Sequence, residues 1–370
     1  MSEIPGARPV RDEDAFDVAA VARWLRSSVS ATGLAGESLD AEPAVQQFSG
    51  GASNLTYLLR YPTRDLILRR PPSGQKAKGA HDMHREFSIQ GKLKPVFPYV
   101  PEMVGFCDDH SVIGSDFYVM ERLEGTILRR NLPSGLELSS AQVSQLCRSV
   151  LDVLVELHSV DPKAAGLTEI GKGAGYVGRQ VKGWSERYRK AKTWNVGSYE
   201  PVMKWLADHQ PDDVRTCVIH NDFRFDNVML GPPPVAGAPM SVTGVLDWEM
   251  ATLGDPLMDL GGALAYWIQE DDDRVFARFR RQPTHVPGML TRTEVVDYYT
   301  SRMGITLSHD EWRFYEVFGL FRLAGIAQQI YYRYFHKQTT NKSFKQFHYV
   351  VLYLDWRCRR LIREHERGRR

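Results

Sequence analysis

The chain has 370 residues, of which 43% are hydrophobic and 25% are charged, and its formal net charge is +2. This length is sufficient for two packed lobes or domains, and the composition is that of an ordinary soluble globular protein. The small net charge gives no indication of a nucleic-acid or membrane partner. We find no apolar leader and no run of about eighteen apolar residues, so we expect neither a secretory signal nor a membrane span.

Three segments are predicted along the chain: an N-terminal extension over residues 1–40, a β-rich lobe over 41–121 and a helical lobe over 122–370. The extension ends in an Ala-, Gly- and Ser-rich stretch and is expected to be peripheral. In the β-rich lobe, short apolar runs between turn signals predict five strands and one helix. The strands are predicted at Val45–Phe48, Leu55–Tyr61, Leu66–Arg69, Val104–Cys107 and Asp116–Glu121, and the helix at Ala80–Leu93.

The helical lobe opens with Ser139 and Gln142, which have the spacing of a capping box in front of a long amphipathic helix. From Thr291 onward the sequence is again helical and rich in aromatic residues. A β-rich lobe followed by an α-rich lobe predicts an α+β fold with the two-lobed architecture of protein kinases. The remaining elements predicted in this lobe are helices at Tyr176–Lys192 and Glu200–His209 and strands at Cys217–Ile219, Val228–Leu230 and Val242–Leu246.

The four cysteines form no Cys-x-x-Cys pair, which is typical of a reduced, cytoplasmic protein that uses cysteine as a small apolar residue. They are Cys107, Cys147, Cys217 and Cys358.

A motif of the pattern His-x-Asp-x-x-x-x-Asn lies between the predicted strands Cys217–Ile219 and Val228–Leu230. It is formed by His220, Asp222 and Asn227. Phosphoryl transfer needs a carboxylate that orients and deprotonates the attacking hydroxyl, and oxygen ligands that hold Mg²⁺ near the phosphates. Asp222 suits the first role, Asn227 suits the second, and His220 is expected to brace the loop. Arg224 lies inside the same loop. A polar turn between two strands would give the same pattern.

A second acidic residue, Asp247, follows the next apolar strand about twenty residues later. A carboxylate at this point is placed to hold the same Mg²⁺ as Asn227. Two metal-facing groups in this order are more specific than either one. Asp255 and Asp259 follow, and we interpret them as structural carboxylates that cap a helix or brace the loops.

These motifs resemble the catalytic signature of the aminoglycoside phosphotransferase family. More closely, the chain is similar to the kinase-like domain that is fused to acyl-CoA dehydrogenases in some proteins, and to its free-standing bacterial relatives. The similarity covers roughly Val45 to Trp267. It implies a two-lobed kinase-like fold, ATP as co-substrate, Mg²⁺, and transfer of phosphate to the hydroxyl group of a small molecule. The supporting motifs are His220 to Asn227, Leu246 to Leu260, Phe48 to Asn54, Leu66 to Pro72, Phe117 to Glu121 and Arg179 to Trp184.

The resemblance gives the turn after the first strand of the β-rich lobe the role of a phosphate-covering loop, in which glycines let backbone N–H groups approach phosphates. Alone, this stretch would be an ordinary hairpin turn. The residues expected to contact the nucleotide here are Ser49, Gly50, Gly51, Ser53 and Asn54.

Arg69 takes the position at which such kinases carry the strand lysine that binds the α- and β-phosphates. Alternation along the strand places Ile67 on the same face, where it should line the base pocket, and turns the rival cation Arg70 to the other face. Arginine in place of lysine departs from the protein-kinase pattern. On the following helix Glu86 falls within the inward arc, and an inward carboxylate needs a partner, for which Arg69 is the natural choice.

The end of the fifth strand is expected to be the hinge that binds adenine. Met120 is predicted as the residue that limits the base pocket, with the carbonyl of Glu121 and the N–H of Leu123 facing the base. This arrangement is compatible with ATP and does not exclude GTP.

For the acceptor, arginines and aromatic residues predict an apolar cleft with a cationic end, which suits a hydroxy acid or a hydroxyacyl-CoA. The resemblance points to the same class. An aminoglycoside or other antibiotic is the alternative, although the acidic run at residues 270–273 is short for a polycation. A nucleotide-binding pseudoenzyme is the alternative of another class. The residues expected to contact the acceptor are Arg179, Tyr266, Trp267, Arg322, Tyr331 and Arg333.

Overall fold

The structure is a computed structural model that describes residues 4, 6–29, 39–48, 54–72, 82–232 and 240–368. The chain forms two compact units. The first contains Met1–Gly125 and Thr243–Glu249, and the second contains Thr126–Val242 and Met250–Arg370. The short segment that carries Asp247 therefore belongs to the first unit, with residues that come much earlier in the sequence.

The first unit is built on a sheet of six antiparallel strands in the order β1-β2-β3-β4-β6-β5. All five predicted strands are present within one residue of their predicted bounds. The strands are β1 (Ala7–Arg8), β2 (Ala44–Phe48), β3 (Leu55–Arg60), β4 (Asp65–Arg70), β5 (Met103–Cys107) and β6 (Phe117–Glu121), and the helices are α1 (Val18–Val29), α2 (Met83–Leu93) and α3 (His110–Ile113).

The start of α2 is fixed by the Asp82 side chain, which accepts a hydrogen bond from the backbone N–H of Arg85. The predicted helix began at Ala80, which lies outside the described residues. The segment between β5 and β6 contains the short helix α3, in which the Asp109 side chain accepts a hydrogen bond from the backbone N–H of Ser111.

Helix α1 corrects the expectation that the first forty residues are peripheral. Val21 and Leu25 are fully buried in the core on one face of the sheet, and the Trp24 ring meets the Phe117 ring edge to face at 4.8 Å. The apolar side chains recur at helical intervals, so the signal for an amphipathic helix was present in the sequence. The N-terminal segment is part of the folded core of the first unit.

The two faces of the sheet bury different sets of residues because side chains alternate along each strand. On β4, Leu66 and Leu68 belong to the core under α1, whereas Ile67 belongs to a second cluster that includes Met83 of α2 and Met120 of β6. The predicted alternation of this strand is confirmed.

The second unit contains eight helices and several short strands among its described residues. Strand β7 pairs with β9, and β8 pairs with β11, both antiparallel. The strands are β7 (Thr126–Ile127), β8 (Cys217–Ile219), β9 (Val228–Leu230), β10 (Val242–Val245, which runs across the boundary of the units) and β11 (Thr252–Gly254). The helices are α4 (Ser140–Ser159), α5 (Tyr176–Ala191), α6 (Glu200–Asp208), α7 (Pro256–Leu264), α8 (Arg274–Ala277), α9 (Arg292–Met303), α10 (His309–Phe335) and α11 (Phe347–Gly368).

Several predictions for this unit are confirmed. Ser139 and Gln142 form the predicted capping box at the start of α4. Helices α5 and α6 each end one residue earlier than predicted, and β8 and β9 have the predicted bounds. Asp255 caps α7, in agreement with its interpretation as a capping carboxylate, whereas the bounds of α7 and the strand β11 were not predicted. In the part of the chain that the structure describes, no helix combines the length and the apolar character needed to cross a membrane.

Helices α7 and α10 cross at two glycines. A Cβ atom on Gly319 would lie 2.1 Å from the carbonyl oxygen of Gly261, and one on Gly261 would lie 2.7 Å from the carbonyl oxygen of Tyr315. Real Cβ atoms do not approach backbone oxygens this closely, so the crossing requires glycine on both helices. Helix α7 carries Asp259, and the crossing therefore fixes the position of that carboxylate relative to α10.

We expect Gly319→Ala to lower the free energy of unfolding by about 1–3 kcal/mol, because the added methyl group forces the two backbones apart. Gly183→Ala on α5 is the matched control, since its Cβ would meet only the end of the Arg187 side chain, at 3.7 Å. The control should be neutral or stabilising by up to about 1 kcal/mol through helix propensity. Denaturant unfolding of both variants is the measurement. Equal stability of Gly319→Ala and the wild type would contradict the close crossing.

Candidate active site

The predicted catalytic loop lies between β8 and β9 in the second unit, and Asn221 is its most constrained residue. Its φ of +65° is in the left-handed region. All of its polar groups are held: its backbone N–H by Asp259 (2.8 Å), its carbonyl by Arg322 (2.7 Å), its amide oxygen by the Tyr176 hydroxyl (3.0 Å) and its amide nitrogen by the Met250 carbonyl (3.1 Å). These contacts hold a sparsely populated backbone conformation at the residue before Asp222.

Asp259 is the anchor of this loop. Its carboxylate accepts hydrogen bonds from the backbone N–H groups of His220 and Asn221, each at 2.8 Å, and contacts Nε2 of His158 at 3.1 Å. Burial opposes ionisation of this group, but the His158 contact and the His220 N–H hold the pKa of Asp259 below its ordinary value. The interpretation of Asp259 as a structural brace is confirmed by these contacts.

Within the described residues, the contacts of the Asp222 carboxylate fall on one oxygen, Oδ2, which accepts hydrogen bonds from Arg224 and from the Asn227 amide, each at 3.0 Å. The other oxygen, Oδ1, accepts no hydrogen bond from the described residues. Burial raises the pKa of Asp222, although the positive charges of Arg224 and Arg322 act in the opposite direction. The Nδ1 atom of His220 accepts the backbone N–H of Asp222 at 3.2 Å, which is a bracing contact.

Arg224 lies between two carboxylates and an aromatic ring. Its guanidinium contacts Asp222 at 3.0 Å and Asp226 at 3.3 Å, and it lies over the Tyr266 ring with 4.5 Å to the centroid. Tyr266 therefore borders the catalytic loop. The Asn227 amide nitrogen also donates to the carbonyl of Asp222, so its amide oxygen is the atom that can face a cation.

In the first unit, Arg69 bridges two carboxylates. Its Nη2 lies 3.3 Å from Oε1 of Glu86 and 3.2 Å from Oδ1 of Asp247. The second oxygen of Glu86 accepts a hydrogen bond from the Tyr118 hydroxyl at 2.9 Å. Burial raises the pKa of Glu86, and Arg69 and Tyr118 oppose the shift. The predicted pairing of Arg69 with Glu86 is confirmed.

Arg70, the rival cation, lies on the opposite face of β4. Its guanidinium donates to the backbone carbonyl of Asp14 (2.6 Å) and to the Tyr57 hydroxyl (3.0 Å), and it lies over the rings of Tyr57 and Phe16. These contacts use it as a structural residue of the face that packs against α1. Arg69 is therefore the cation available beside Asp247.

The first unit also contains a group of oxygen ligands. Carboxylate oxygens of Glu86, Asp247 and Glu249 lie within 4.8 Å of one another. Asp247 has a φ of +70°, which directs the chain sharply at the end of β10. Oxygen donors of this kind suit a hard cation such as Mg²⁺. Glu249 was not singled out from the sequence, although its Asp-x-Glu spacing with Asp247 is a usable signal.

The residues predicted to line the base pocket belong to an apolar cluster in the first unit. Ile67 and Met120 are paired across β4 and β6, and both are 7% exposed. Glu121 ends β6, where its backbone N–H donates to the carbonyl of Glu102 at 2.8 Å. Leu123 follows, with its side chain packed against Gly244.

Of the predicted phosphate-covering loop, only Asn54 is described, and it is buried at the start of β3. Ser49, Gly50, Gly51 and Ser53 lie outside the described residues.

The predicted acceptor residues do not all lie in one place, and the aromatic members Trp267 and Tyr331 are buried. Trp267 is a core residue, 5% exposed, whose indole N–H donates to the Leu290 carbonyl at 2.9 Å. Arg179 donates to the carbonyls of Gly173 and Ala174 and so braces a glycine-rich loop.

Two further members of that set lie far along α10 from the catalytic loop. At a rise of about 1.5 Å per residue, Tyr331 and Arg333 are about 14 and 17 Å along the helix from Arg322. Tyr331 is also buried, and its hydroxyl accepts a hydrogen bond from Asn195 at 2.9 Å. Of the predicted set, Tyr266, Trp267 and Arg322 contact residues of the loop, and Trp267 does so through the Phe225 ring at 5.6 Å between ring centroids.

Comparisons with known proteins show the family to which the chain belongs. Residues 44–294 match the model of the phosphotransferase enzyme family. Mouse acyl-CoA dehydrogenase family member 10 is 36% identical over 344 residues, which are 93% of this chain and 31% of that protein. The chain thus spans about a third of the length of this curated relative.

Solved structures show the same fold. A Ralstonia eutropha protein, assigned only provisionally as an aminoglycoside phosphotransferase, is 28% identical with a TM-score of 0.77, over 95% of this chain and 99% of that one. Choline kinase from Cryptosporidium parvum is 11% identical with a TM-score of 0.61, over 95% of this chain and 97% of that one. These structures share the kinase-like α+β architecture predicted from the sequence.

Proposed function

This chain belongs to the phosphotransferase enzyme family, and from that premise we propose that it transfers the γ-phosphate of MgATP to a hydroxyl group of a small molecule. The observation that carries the proposal is the Asp222 carboxylate, which is held on one oxygen by Arg224 and Asn227. A carboxylate fixed in this way is suited to orient a hydroxyl and to take its proton.

In the proposed reaction, the acceptor hydroxyl lies against Oδ1 of Asp222. Its oxygen forms a bond to the γ-phosphorus while the bond from that phosphorus to the oxygen of ADP breaks, and its proton passes to Asp222. The positive charge of Arg224 favours the ionised form of the carboxylate and so opposes the effect of burial on the pKa of Asp222. The Asn221 contacts fix the loop in advance, so little reorganisation is needed at the moment of reaction.

We assign the nucleotide to the first unit. Arg69, braced by Glu86, is proposed to bind the α- and β-phosphates. The apolar pair Ile67 and Met120 is proposed to pack against the flat face of the adenine ring. Every nucleobase has such a face. The loop from Ser49 to Asn54 is proposed to cover the phosphates.

The hinge contacts are assigned to the Glu121 carbonyl and the Leu123 N–H.

Asp247 and Asn227 are the residues proposed to hold Mg²⁺. The donor set fits this ion, because a carboxylate and an amide oxygen are hard ligands. When bound, Mg²⁺ would neutralise charge that develops on the phosphates.

For the acceptor we propose a hydroxy acid or a hydroxyacyl-CoA. Arg224 and Arg322 place positive charge beside Asp222, which favours an anionic acceptor over a polycation such as an aminoglycoside. The name of the mouse relative, acyl-CoA dehydrogenase family member 10, supports an acyl-CoA compound as the substrate class. The aminoglycoside assignment of the Ralstonia protein makes an antibiotic the alternative.

Substitution of two aspartates should separate catalysis from nucleotide binding. We expect Asp222→Ala to lower kcat by about 10²–10⁴-fold and to retain MgATP binding, because its role lies at the acceptor. Asp247→Ala should lose metal-dependent nucleotide binding as well. ADP release and equilibrium binding of MgATP are the measurements, and Asp208→Ala, on the exposed end of α6, is the control. Near-normal turnover by Asp222→Ala would refute the assignment.

The acid limb of the pH profile should move in opposite directions in two variants. Asp222 acts as a base only when ionised, so kcat/KM falls as the pH drops through its pKa. Loss of a positive neighbour in Arg224→Gln should raise that pKa and move the limb to higher pH. Loss of a negative neighbour in Asp226→Asn should move it to lower pH. Shifts of the same sign in both variants would contradict Asp222 as the titrating base.

A panel of acceptors tests the substrate class. We expect ADP release with hydroxyacyl-CoAs or hydroxy acids, and background rates with kanamycin, a macrolide, choline and homoserine. Asp222→Ala serves as the blank for every compound. Turnover of kanamycin with none of the hydroxyacyl compounds would refute the acceptor proposal and leave the phosphotransferase proposal standing.

A further inference from the structure

A group of basic side chains in the second unit has no part in the mechanism proposed above. It consists of Arg130, before α4, and Arg280 and His285, after α8, and we refer to these three residues as the basic cluster. Arg280 donates a hydrogen bond to the side chain of Asn131 at 3.3 Å, which joins the two segments. Burial and the charge of Arg130 lower the pKa of Arg280, and burial and both arginines lower the pKa of His285. The three groups therefore lie within electrostatic reach of one another.

The cluster is short of partners. Nε of Arg280 and Nδ1 of His285 are buried, and within the described residues neither has a hydrogen-bond partner. In the same part of the chain, no carboxylate forms an ion pair with Arg130 or Arg280. Glu270 is the acidic residue whose charge reaches His285, and it is exposed. Buried polar groups are almost always paired in folded proteins, so a missing anionic partner is the simplest account.

The cluster lies beside the catalytic loop. Gln282, between Arg280 and His285, accepts a hydrogen bond from the backbone N–H of Phe225 at 2.8 Å and donates to the Tyr266 carbonyl at 3.3 Å. Phe225 is in the catalytic loop. Because an extended chain advances at most about 3.6 Å per residue, the Cα atom of Arg280 is within about 7 Å of that of Gln282, and His285 is within about 11 Å.

We propose that the basic cluster binds a phosphate group carried by the acceptor, at the end of the molecule away from the reacting hydroxyl. This inference rests on the proposed function and adds to it a site for the acceptor. A phosphate offers several strong acceptor oxygens, and arginine binds two of them at once in its planar fork. Two arginines and a histidine provide more donors than a single carboxylate of a free hydroxy acid can use. The cluster thus favours a phosphorylated carrier such as CoA.

Binding of CoA without nucleotide tests the cluster directly. We expect the Arg130→Ala/Arg280→Ala double variant to raise the Kd for CoA at least about tenfold. The control is Arg363→Ala/Arg367→Ala on the exposed face of α11, which removes the same charge and should leave the Kd unchanged. Both variants should retain the wild-type Kd for MgATP and the wild-type Tm. Failure of the wild type to bind CoA would overturn the proposal. So would equal weakening in both variants, or loss of MgATP binding along with CoA binding.

Kinetics with two matched acceptors separates the cluster from the proposed function. The same hydroxyacyl group is offered as the CoA thioester and as the N-acetylcysteamine thioester, which carries no phosphate. The cluster variant should raise KM for the CoA thioester only, with kcat retained. An equal rise in KM for both thioesters, or no rise, would overturn the cluster while the phosphotransferase proposal stands. If neither thioester is turned over but CoA binding still depends on the cluster, the acceptor proposal fails and the cluster stands.

Discussion

The geometry of the catalytic loop depends on the buried carboxylate of Asp259. An ionised carboxylate removed from water costs several kcal/mol unless donors surround it, and here the donors are the loop itself and His158. The same contacts that satisfy Asp259 fix the backbone of His220 and Asn221. Asp259 is on α7, which packs closely against α10 at Gly261 and Gly319. The loop is therefore attached to the core of the second unit.

Rigidity of this kind suits the role of general base that we propose for Asp222. Asn221 is held in a left-handed conformation by contacts from α5, α7, α10 and the turn before β11, so Asp222 cannot relax without breaking several hydrogen bonds. Arg224 then occupies one oxygen of the carboxylate and lies over Tyr266. The Asp222 carboxylate therefore has a fixed orientation beside the positive charges of Arg224 and Arg322.

Local patterns allowed much of this to be predicted from the sequence. Strand alternation placed Ile67 and Arg69 together, and the helical arc brought Glu86 to Arg69, because both patterns depend on residues close in the sequence. The acceptor residues were harder to predict, because aromatic composition does not distinguish a cleft from a core. Trp267 and Tyr331 are examples, since both are buried. The basic cluster could not be predicted, since Arg130 and Arg280 are brought together only by the tertiary fold.

The adjacent arginines of β4 have a consequence for the N-terminal segment. Arg70 is tied to the carbonyl of Asp14, which precedes α1, while its neighbour Arg69 contacts Glu86 and Asp247 on the opposite face. The segment before α1 thus holds one face of β4, whose other face carries Arg69, the residue that we propose to bind the phosphates. A protein that lacks only the residues before Ala44, where the match to the family model begins, would lose these contacts, and weak nucleotide binding by such a protein would reflect a less constrained β4 and not the loss of a nucleotide contact.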